Sequence, residues 1–389
     1  MKKIVFLTGT RADFGKLKSL INIIQKSKNF EVHIFATGMH LSNKYGYTVD
    51  EIVKCGYPNI FKFINQTAEE LMDHTLARTI TGFSDYVKEI NPELIIIHGD
   101  RVEALAGAIV GALNNILVAH VEGGEVSGTV DELIRHAVSK MSHIHFVSND
   151  LARTRLIQMG EGPKSIFVIG SPDIDAMLSN ELPTIEEVKE HYSIPFEKYA
   201  ILLFHPVTTE INYLNEHSLN IVEAIVDTGD NFVVIYPNND MGSTIILKHY
   251  DRLKNIDRIK VFPSIRFEKF LVLLKNALYI LGNSSAGIRE SPYYGLPAIN
   301  VGSRQNNRAQ AKHFIVNSDH SKESILKAIA AAKKLKGTPS SATFGFGNSD
   351  KLFFEAISKS EFWAISQQKQ FIDIVSMHEM AIPPKSATS

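Results

Sequence analysis

The feature that most restricts how this chain can fold is a repeated alternation of two patterns. Short runs of apolar, mostly β-branched residues are separated by longer segments whose apolar residues recur with helical period. Runs at 4–8, 32–37, 94–98, 117–121, 144–147 and 166–169 read as strands. They are apolar throughout instead of alternating in and out, so both faces of their sheet must be covered, as in a parallel sheet flanked by helices. After Gly170-Ser171-Pro172 and a polar helical stretch, the alternation restarts at 200–204, 232–236, 259–262, 279–281 and 298–301. The expected fold is α/β, with two Rossmann-like domains at 1–170 and 171–359 whose parallel sheets face a central cleft. A length of 389 residues agrees with two domains, because a single core stops growing near ~250–300 residues.

A turn-rich stretch at 336–350 leads to the apolar-periodic segment 351–375, which contains Phe353, Phe354, Ile357, Phe362, Trp363 and Ile365. This segment is expected to close the structure by packing across both domains, with a helix at about 360–376 returning to the first. Residues 381–389 read as a frayed end. Charge narrows the function classes. Forty-one basic and 42 acidic side chains leave a formal net charge of -1, so no global field draws nucleic acid or a membrane surface, and any anion must be held locally. The one cysteine, Cys55, rules out an internal disulfide framework. The opening apolar run at 4–7 is too short for a signal peptide, and no run approaches the ~20 residues of a membrane span. A cytoplasmic location is expected.

In open α/β sheets ligands sit beyond the carboxyl ends of the strands, so those ends carry the functional reading. The first strand runs into Gly9-Thr10-Arg11-Ala12-Asp13-Phe14-Gly15-Lys16, a glycine-bracketed helix start at which backbone N–H groups and the cations of Arg11 and Lys16 favour an anion. It is neither a P-loop nor a dinucleotide fingerprint: five residues separate the glycines, Leu17 stands where a P-loop needs Ser or Thr, and GxGxxG is absent. ATPase and NAD readings are rejected.

The strand at 94–98 ends in His98-Gly99-Asp100-Arg101, and its neighbour in His120-Val121-Glu122-Gly123-Gly124-Glu125. Asp131 and Glu132 follow at the start of a helix that carries Arg135 and His136. Taken alone, Asp131 would be a helix-dipole carboxylate. Acids converging on one crevice, however, need shared protons or cationic partners, and Arg101 and Arg135 are placed to supply them. In the second half the strand at 200–204 ends in His205-Pro206-Val207-Thr208, and that at 279–281 in Gly282-Asn283-Ser284-Ser285-Ala286-Gly287-Ile288-Arg289-Glu290. There Ser284 and Ser285 suit phosphate oxygens, and Glu290 suits the hydroxyls of a ribose; a plain helix cap is the alternative. The turn after 298–301 presents Arg304 and Arg308, the latter equally readable as a surface cation. His98, His120, His143 and His145 show no HExxH or Cys/His spacing, so no catalytic metal is expected.

Together these motifs resemble the UDP-N-acetylglucosamine 2-epimerases, and within them the hydrolysing branch that forms N-acetylmannosamine for sialic acid synthesis. The resemblance spans nearly the whole chain. It is carried by GTRADFGK at 9–16, HGDR at 98–101, HVEGGE at 120–125, TVDELIRHAVSKMSH at 129–143, HPVT at 205–208 and GNSSAGIRE at 282–290. Non-hydrolysing members usually carry Pro-Glu after the first Thr-Arg and Ala-Gly-Leu-Arg after the second strand's Glu; Ala12-Asp13 and Gly123-Gly124-Glu125 stand here instead.

The resemblance implies a fold like that of GT-B glycosyltransferases, a homodimer or homotetramer, and no cofactor. It implies anti elimination of UDP across C1–C2 to a 2-acetamidoglucal, followed by hydration with the proton delivered to the opposite face of C2. The catalytic carboxylates it implies are Asp100, Glu122 and Asp131. Arg11, Arg101, His205, Ser284, Ser285, Glu290 and Arg304 match its nucleotide-binding positions; Lys16 and Arg135 join them as local cations. Alternatives are the related enzyme for UDP-2,4-diacetamido-2,4,6-trideoxyglucose, serving legionaminic-type acids, a glycosyltransferase of the same fold, and a non-catalytic nucleotide-sugar binding protein.

Overall fold

The structure is a computed structural model that describes residues 1–66, 71–306, 314–335 and 344–373. Two all-parallel sheets organise it. The first has seven strands: β1 (Lys2–Thr8), β2 (Phe30–Ala36), β3 (Asn59–Lys62), β4 (Leu94–His98), β5 (Leu117–Val121), β6 (Ile144–Val147) and β7 (Ile166–Val168). Its order is β3-β2-β1-β4-β5-β6-β7. The second has six: β8 (Ala200–Leu203), β9 (Phe232–Ile235), β10 (Ile259–Phe262), β11 (Ile280–Gly282), β12 (Ala298–Val301) and β13 (Ile315–Ser318), in the order β10-β9-β8-β11-β12-β13. In each sheet the chain reverses its direction of winding beside the first strand, between β1 and β4 and between β8 and β11. Such a reversal splays the flanking helices apart and opens a crevice at the carboxyl ends.

The continuous apolar runs become central strands because helices cover both faces: Ile4, Val5, Phe6, Ile95, Ile96 and Ile97 are all fully buried. Two of the four edge strands, β3 and β13, escape the sequence pattern. Each has one sheet neighbour, and neither contributes more than one fully buried residue. An edge strand therefore needs no unbroken apolar run.

The helices that matter most to the strand ends are fixed by their caps. Thr10 and Asp13 form a reciprocal capping box at the start of Arg11–Gln25, and Thr129 caps Val130–Met141. The returning C-terminal segment differs from expectation in position. Its helices are Ser349–Ser358 and Ser360–Trp363, earlier than 360–376, and the chain from 364 to 373 is non-helical. Phe353, Ile357 and Phe362 enter the core under the first sheet, where Phe353 meets Phe146 edge-on at 4.9 Å. The same segment also reaches the start of the second half, where the backbone N–H groups of Ser349 and Asp350 donate to the Asp175 carboxylate at 2.9 Å. Beyond the helices, Lys369 donates to the carbonyls of Ser139, Lys140 and Ser142 at the end of helix Val130–Met141, and pairs with Glu161 at 2.6 Å. A cation at a helix C-terminus satisfies carbonyls that lack intrahelical partners.

Phe353→Ala is expected to lower the unfolding free energy by about 3–5 kcal/mol through loss of the buried ring and the cavity left behind. Urea titration followed by tryptophan fluorescence checks this; a loss below about 1 kcal/mol would remove the segment from the core.

Candidate active site

The two crevices face each other across a cavity of about 240 Å³. On the first-domain side it is lined by Arg11 and Lys16 from the helix after β1, Asp100 and Arg101 from the turn after β4, and Asp131 from the first turn of Val130–Met141. The second domain contributes His205 after β8, Ser284, Ser285 and Glu290 after β11, and Arg304 after β12. Strand ends distant in sequence meet here because both sheets present their carboxyl edges to the same gap.

Asp100 is paired with Arg135. Asp131 pairs across the gap with Arg304 at 2.9 Å, and Arg304 also donates to the Asn283 carbonyl at 3.3 Å. Burial pushes the Asp131 carboxyl up; the Arg304 charge opposes this and the nearby Asp100 reinforces it, leaving the net shift upward. Arg101 donates to Asn239 at 2.8 Å and lies 3.5 Å from Asp240.

His205 is fixed more tightly than its motif suggested. The Asn238 backbone N–H donates to Nδ1 at 3.0 Å, and the Asn283 side chain accepts from the His205 N–H at 2.7 Å. Burial, with Arg304 and Arg101 nearby, depresses its pKa well below the ordinary histidine value. An imidazole whose Nδ1 accepts is neutral and carries its proton on Nε2. His205 is therefore a neutral donor.

Behind the cavity lies a buried ion network that spans the domains. Arg289, 2% exposed, donates to both Glu122 and Glu125 at 2.5 Å and to Ser171, and lies 3.6 Å from Asp173. Lys16 reaches Glu122 at 3.4 Å and Asp173 at 3.5 Å, while Glu290 is 4.0 Å away. His98 Nε2 is 2.8 Å from Glu122. Burial opposes ionisation of Glu122, but Arg289, Lys16 and His98 outweigh it and hold the carboxyl well below its usual range. Asp173 is likewise held low, against burial, by Lys16 and Arg289. Glu290 is pushed up by burial, and its Oε2 has no hydrogen-bond partner among the described residues.

The structure thus refines several expectations. Of the three acids, Asp100 and Asp131 line the cavity, whereas Glu122 sits one layer back. Its backbone turns through the left-handed region at φ 72°, a conformation that costs a non-glycine residue about 1–3 kcal/mol and is sustained by surrounding contacts. Arg135, expected to touch ligand, is 1% exposed and outside the cavity lining, because Asp100 holds its guanidinium. The backbone donors of Gly9 and Thr10 do not await an anion; the Asp13 carboxylate takes them at 3.0 and 3.1 Å. Arg11 is what remains there, and it contacts Ser264. The stretch after β11 is a single tight turn, Ser285–Gly287, followed by the four-residue helix Glu290–Tyr293. Arg308 lies outside the described residues.

His120, His143 and His145 are engaged in the fold: with Gly99 and Ser139, with Val118 and Gln367, and with Glu161. Sequence reasoning missed Arg289 and Asp173. An Arg inside a short apolar-flanked helix start was the available signal for the first; nothing local marked the second. Among the described residues no helix is long and apolar enough to cross a membrane.

Two Rossmann-like domains with facing switch points, and a cavity where acids meet cations, define the class: a two-domain α/β protein of the GT-B-like architecture. Residues 22–358 match the model of the UDP-N-acetylglucosamine 2-epimerase family, and the chain belongs to that family. It is 49% identical over 377 residues to a UDP-N-acetylglucosamine 2-epimerase of Neisseria meningitidis serogroup B, covering 96% of this chain and 100% of that one. It is 32% identical to a hydrolyzing UDP-N,N'-diacetylbacillosamine 2-epimerase of Legionella pneumophila, covering 92% and 96%. The fold is shared with the UDP-GlcNAc 2-epimerase of Methanocaldococcus jannaschii crystallised with UDP-GlcNAc and UDP, at TM-score 0.78 and 24% identity over 92% of this chain and 99% of that one. The crystal structure of a Neisseria meningitidis UDP-GlcNAc 2-epimerase bound to UDP-GlcNAc aligns at TM-score 0.76 and 16% identity, again over 92% and 99%.

Arg289→Met leaves Glu122 and Glu125 buried without their main partner and is expected to cost about 3–5 kcal/mol of stability at neutral pH. Carboxylates held low contribute stability that is complete above their ordinary values, 4.5 for Glu122, and that fades as pH falls through the folded values. The difference between wild type and variant should therefore be constant above pH 4.5 and shrink steadily as the pH falls below it, in urea titrations at several pH values. A difference constant across all pH values would refute the electrostatic account.

Proposed function

We propose that the protein is a hydrolysing UDP-N-acetylglucosamine 2-epimerase that converts UDP-GlcNAc and water to N-acetylmannosamine and UDP. The observation that carries the reading is that Asp100 and Asp131 line one cavity together with His205, Ser284, Ser285 and Glu290 from the opposite domain. A reaction that removes a proton from C2 and returns one to the other ring face requires two separately placed acid–base groups, each worth about 10²–10⁴ in rate. The 49% identity to the Neisseria enzyme supports the substrate. Ala12-Asp13 and Gly123-Gly124-Glu125 support the hydrolysing branch.

In this reading residues 1–170 carry the acid–base carboxylates and 171–359 bind the nucleotide. The uracil enters the apolar part of the cavity around Pro237, Pro263, Phe267 and Phe270. The ribose hydroxyls donate to Glu290, whose Oε2 otherwise lacks a donor. Arg11, Arg101, Lys16, Ser284, Ser285 and the neutral Nε2–H of His205 surround the diphosphate and stabilise its growing charge where water is excluded.

One carboxylate takes the C2 proton, the C–H electron pair forms the C1=C2 bond, and the C1–O bond breaks with its electrons leaving on UDP. Water then adds its oxygen to C1 while the second carboxyl delivers its proton to the opposite face of C2 and takes the proton that water gives up; the first carboxylate returns the C2 proton to solvent, which resets both groups. Asp131, whose carboxyl is pushed up by burial, suits proton delivery, and Asp100, beside Arg135, suits removal. Glu122 acts as a positioning residue that holds Lys16 at the cavity wall. The relatives named for diacetylbacillosamine sugars, at 32% identity, support the second substrate reading less strongly.

Turnover in D2O should place deuterium at C2 of the released N-acetylmannosamine by NMR, and Asp100→Asn and Asp131→Asn should each lower kcat by at least about 100-fold. A product unlabelled at C2, or a kcat/KM higher for UDP-2,4-diacetamido-2,4,6-trideoxyglucose than for UDP-GlcNAc, would overturn the assignment.

A further inference from the structure

Outside the cavity, Glu210 in the turn Thr208–Tyr213, His217 on the helix Leu214–Asp227, and His320 just after β13 converge on one point. One ligand atom from each lies within 4.8 Å of the others. Glu210 Oε2 is 3.9 Å from His217 Nδ1 and 3.7 Å from His320 Nε2. These separations are too long for hydrogen bonds. They are close to the roughly 3.4 Å that separates neighbouring donors around a tetrahedral ion with bonds of about 2.1 Å.

Independent features point to the same centre. Glu210 Oε2 is shielded from solvent and has no hydrogen-bond partner among the described residues. The other carboxylate oxygen, Oε1, accepts from Ser303 Oγ, the kind of outer contact that orients a metal-binding carboxylate. The two imidazoles are stacked at 3.5 Å with their planes 1° apart, so one ring must rotate before both in-plane lone pairs can meet an ion. His320 owes its place to Gly302, at φ 75°, where a Cβ would lie 2.3 Å from the ring.

We propose that Glu210, His217 and His320 bind one divalent transition cation of the zinc class. Two imidazole nitrogens and one carboxylate oxygen favour such borderline ions over magnesium or calcium, and three protein ligands leave a fourth position for water. The ring of His217, partly exposed, turns out of the stack to meet the ion, while His320 stays against Gly302. The ion ties the connection after β8 to helix Leu214–Asp227 and to the end of β13, beside the Ser303-Arg304 turn. It is a structural site, separate from the acid–base carboxylates.

The test is calorimetric titration of the full chain, stripped of metal with EDTA and dialysed, with Zn2+ and in parallel with Mg2+. One Zn2+ per chain is expected, together with a rise in Tm on saturation and no comparable response to Mg2+. His217→Phe keeps an aromatic ring in the stack but removes the ligand atom. It should weaken Zn2+ binding by at least about 100-fold, since loss of outer-shell partners alone costs 10–100-fold, and should abolish the Tm rise. Glu210→Gln supplies the same comparison without touching the stack. Absence of stoichiometric Zn2+ binding to the wild type, or binding that both variants retain, would show an aromatic stack beside a carboxylate and overturn the proposal.

Discussion

The interaction on which the rest of the structure depends is the buried guanidinium of Arg289. It comes from the second domain and is gripped by Glu122, Glu125 and Ser171 of the first domain and the segment that joins the two. A charge buried this deeply is tolerated only when its partners are close and numerous. Here the partners sit on separate sheets. The cost of leaving any of them unpaired ties the two domains into one arrangement, and with them the width of the cavity. Surface pairs such as Arg266 with Glu51 and Lys18 with Glu268 bridge the same gap but are partly exposed, so they contribute far less. Packing reinforces the fit. Gly15 has no side chain where the ring of Phe267 lies, and a Cβ there would come within 2.5 Å of it.

This arrangement divides the acids into two kinds. Glu122 is surrounded by Arg289, Lys16 and His98 and is held ionised. Asp100 and Asp131 face the cavity, each with one arginine partner, and Asp131 is drawn toward protonation by burial and by its acidic neighbour. The separation matters under the proposed function, in which a single cleft holds a diphosphate, which calls for positive charge, and also moves protons, which calls for carboxylates. Pairing each acid with its own cation lets both coexist. His205 adds a donor without adding charge, its Nδ1 being held by the backbone of Asn238.

Much of the fold was legible because central parallel strands must be apolar on both faces, a demand visible residue by residue. The strands 94–98, 117–121 and 144–147 lie where the apolar runs predicted. What escaped were two of the four edges. Asn59–Lys62 and Ile315–Ser318 pair on one side only, and their composition carries no comparable constraint. The C-terminal aromatics announced a packed segment, but which domain they would cover depended on where the helix Arg11–Gln25 and β6 left a gap. Of the candidate site, Asp100, Asp131, Arg11, Lys16, Arg101, His205, Ser284, Ser285, Glu290 and Arg304 do line one cavity. Glu122 and Arg135 belong to the layer behind it, a distinction that depends on side-chain direction and not on position along a strand.

The amino-acid sequence alone determined that the chain would build two parallel sheets and which strand ends would carry acids, cations and small hydroxyls, because burial on two faces and helix starts leave local signatures. Only the tertiary structure decided which carboxylates face the cavity, that Arg289 and Asp173 hold the domains together, and that Glu210, His217 and His320 meet. Those outcomes depend on distances between segments 164 and 167 residues apart, and a through-space charge interaction leaves no trace in the local pattern of either partner.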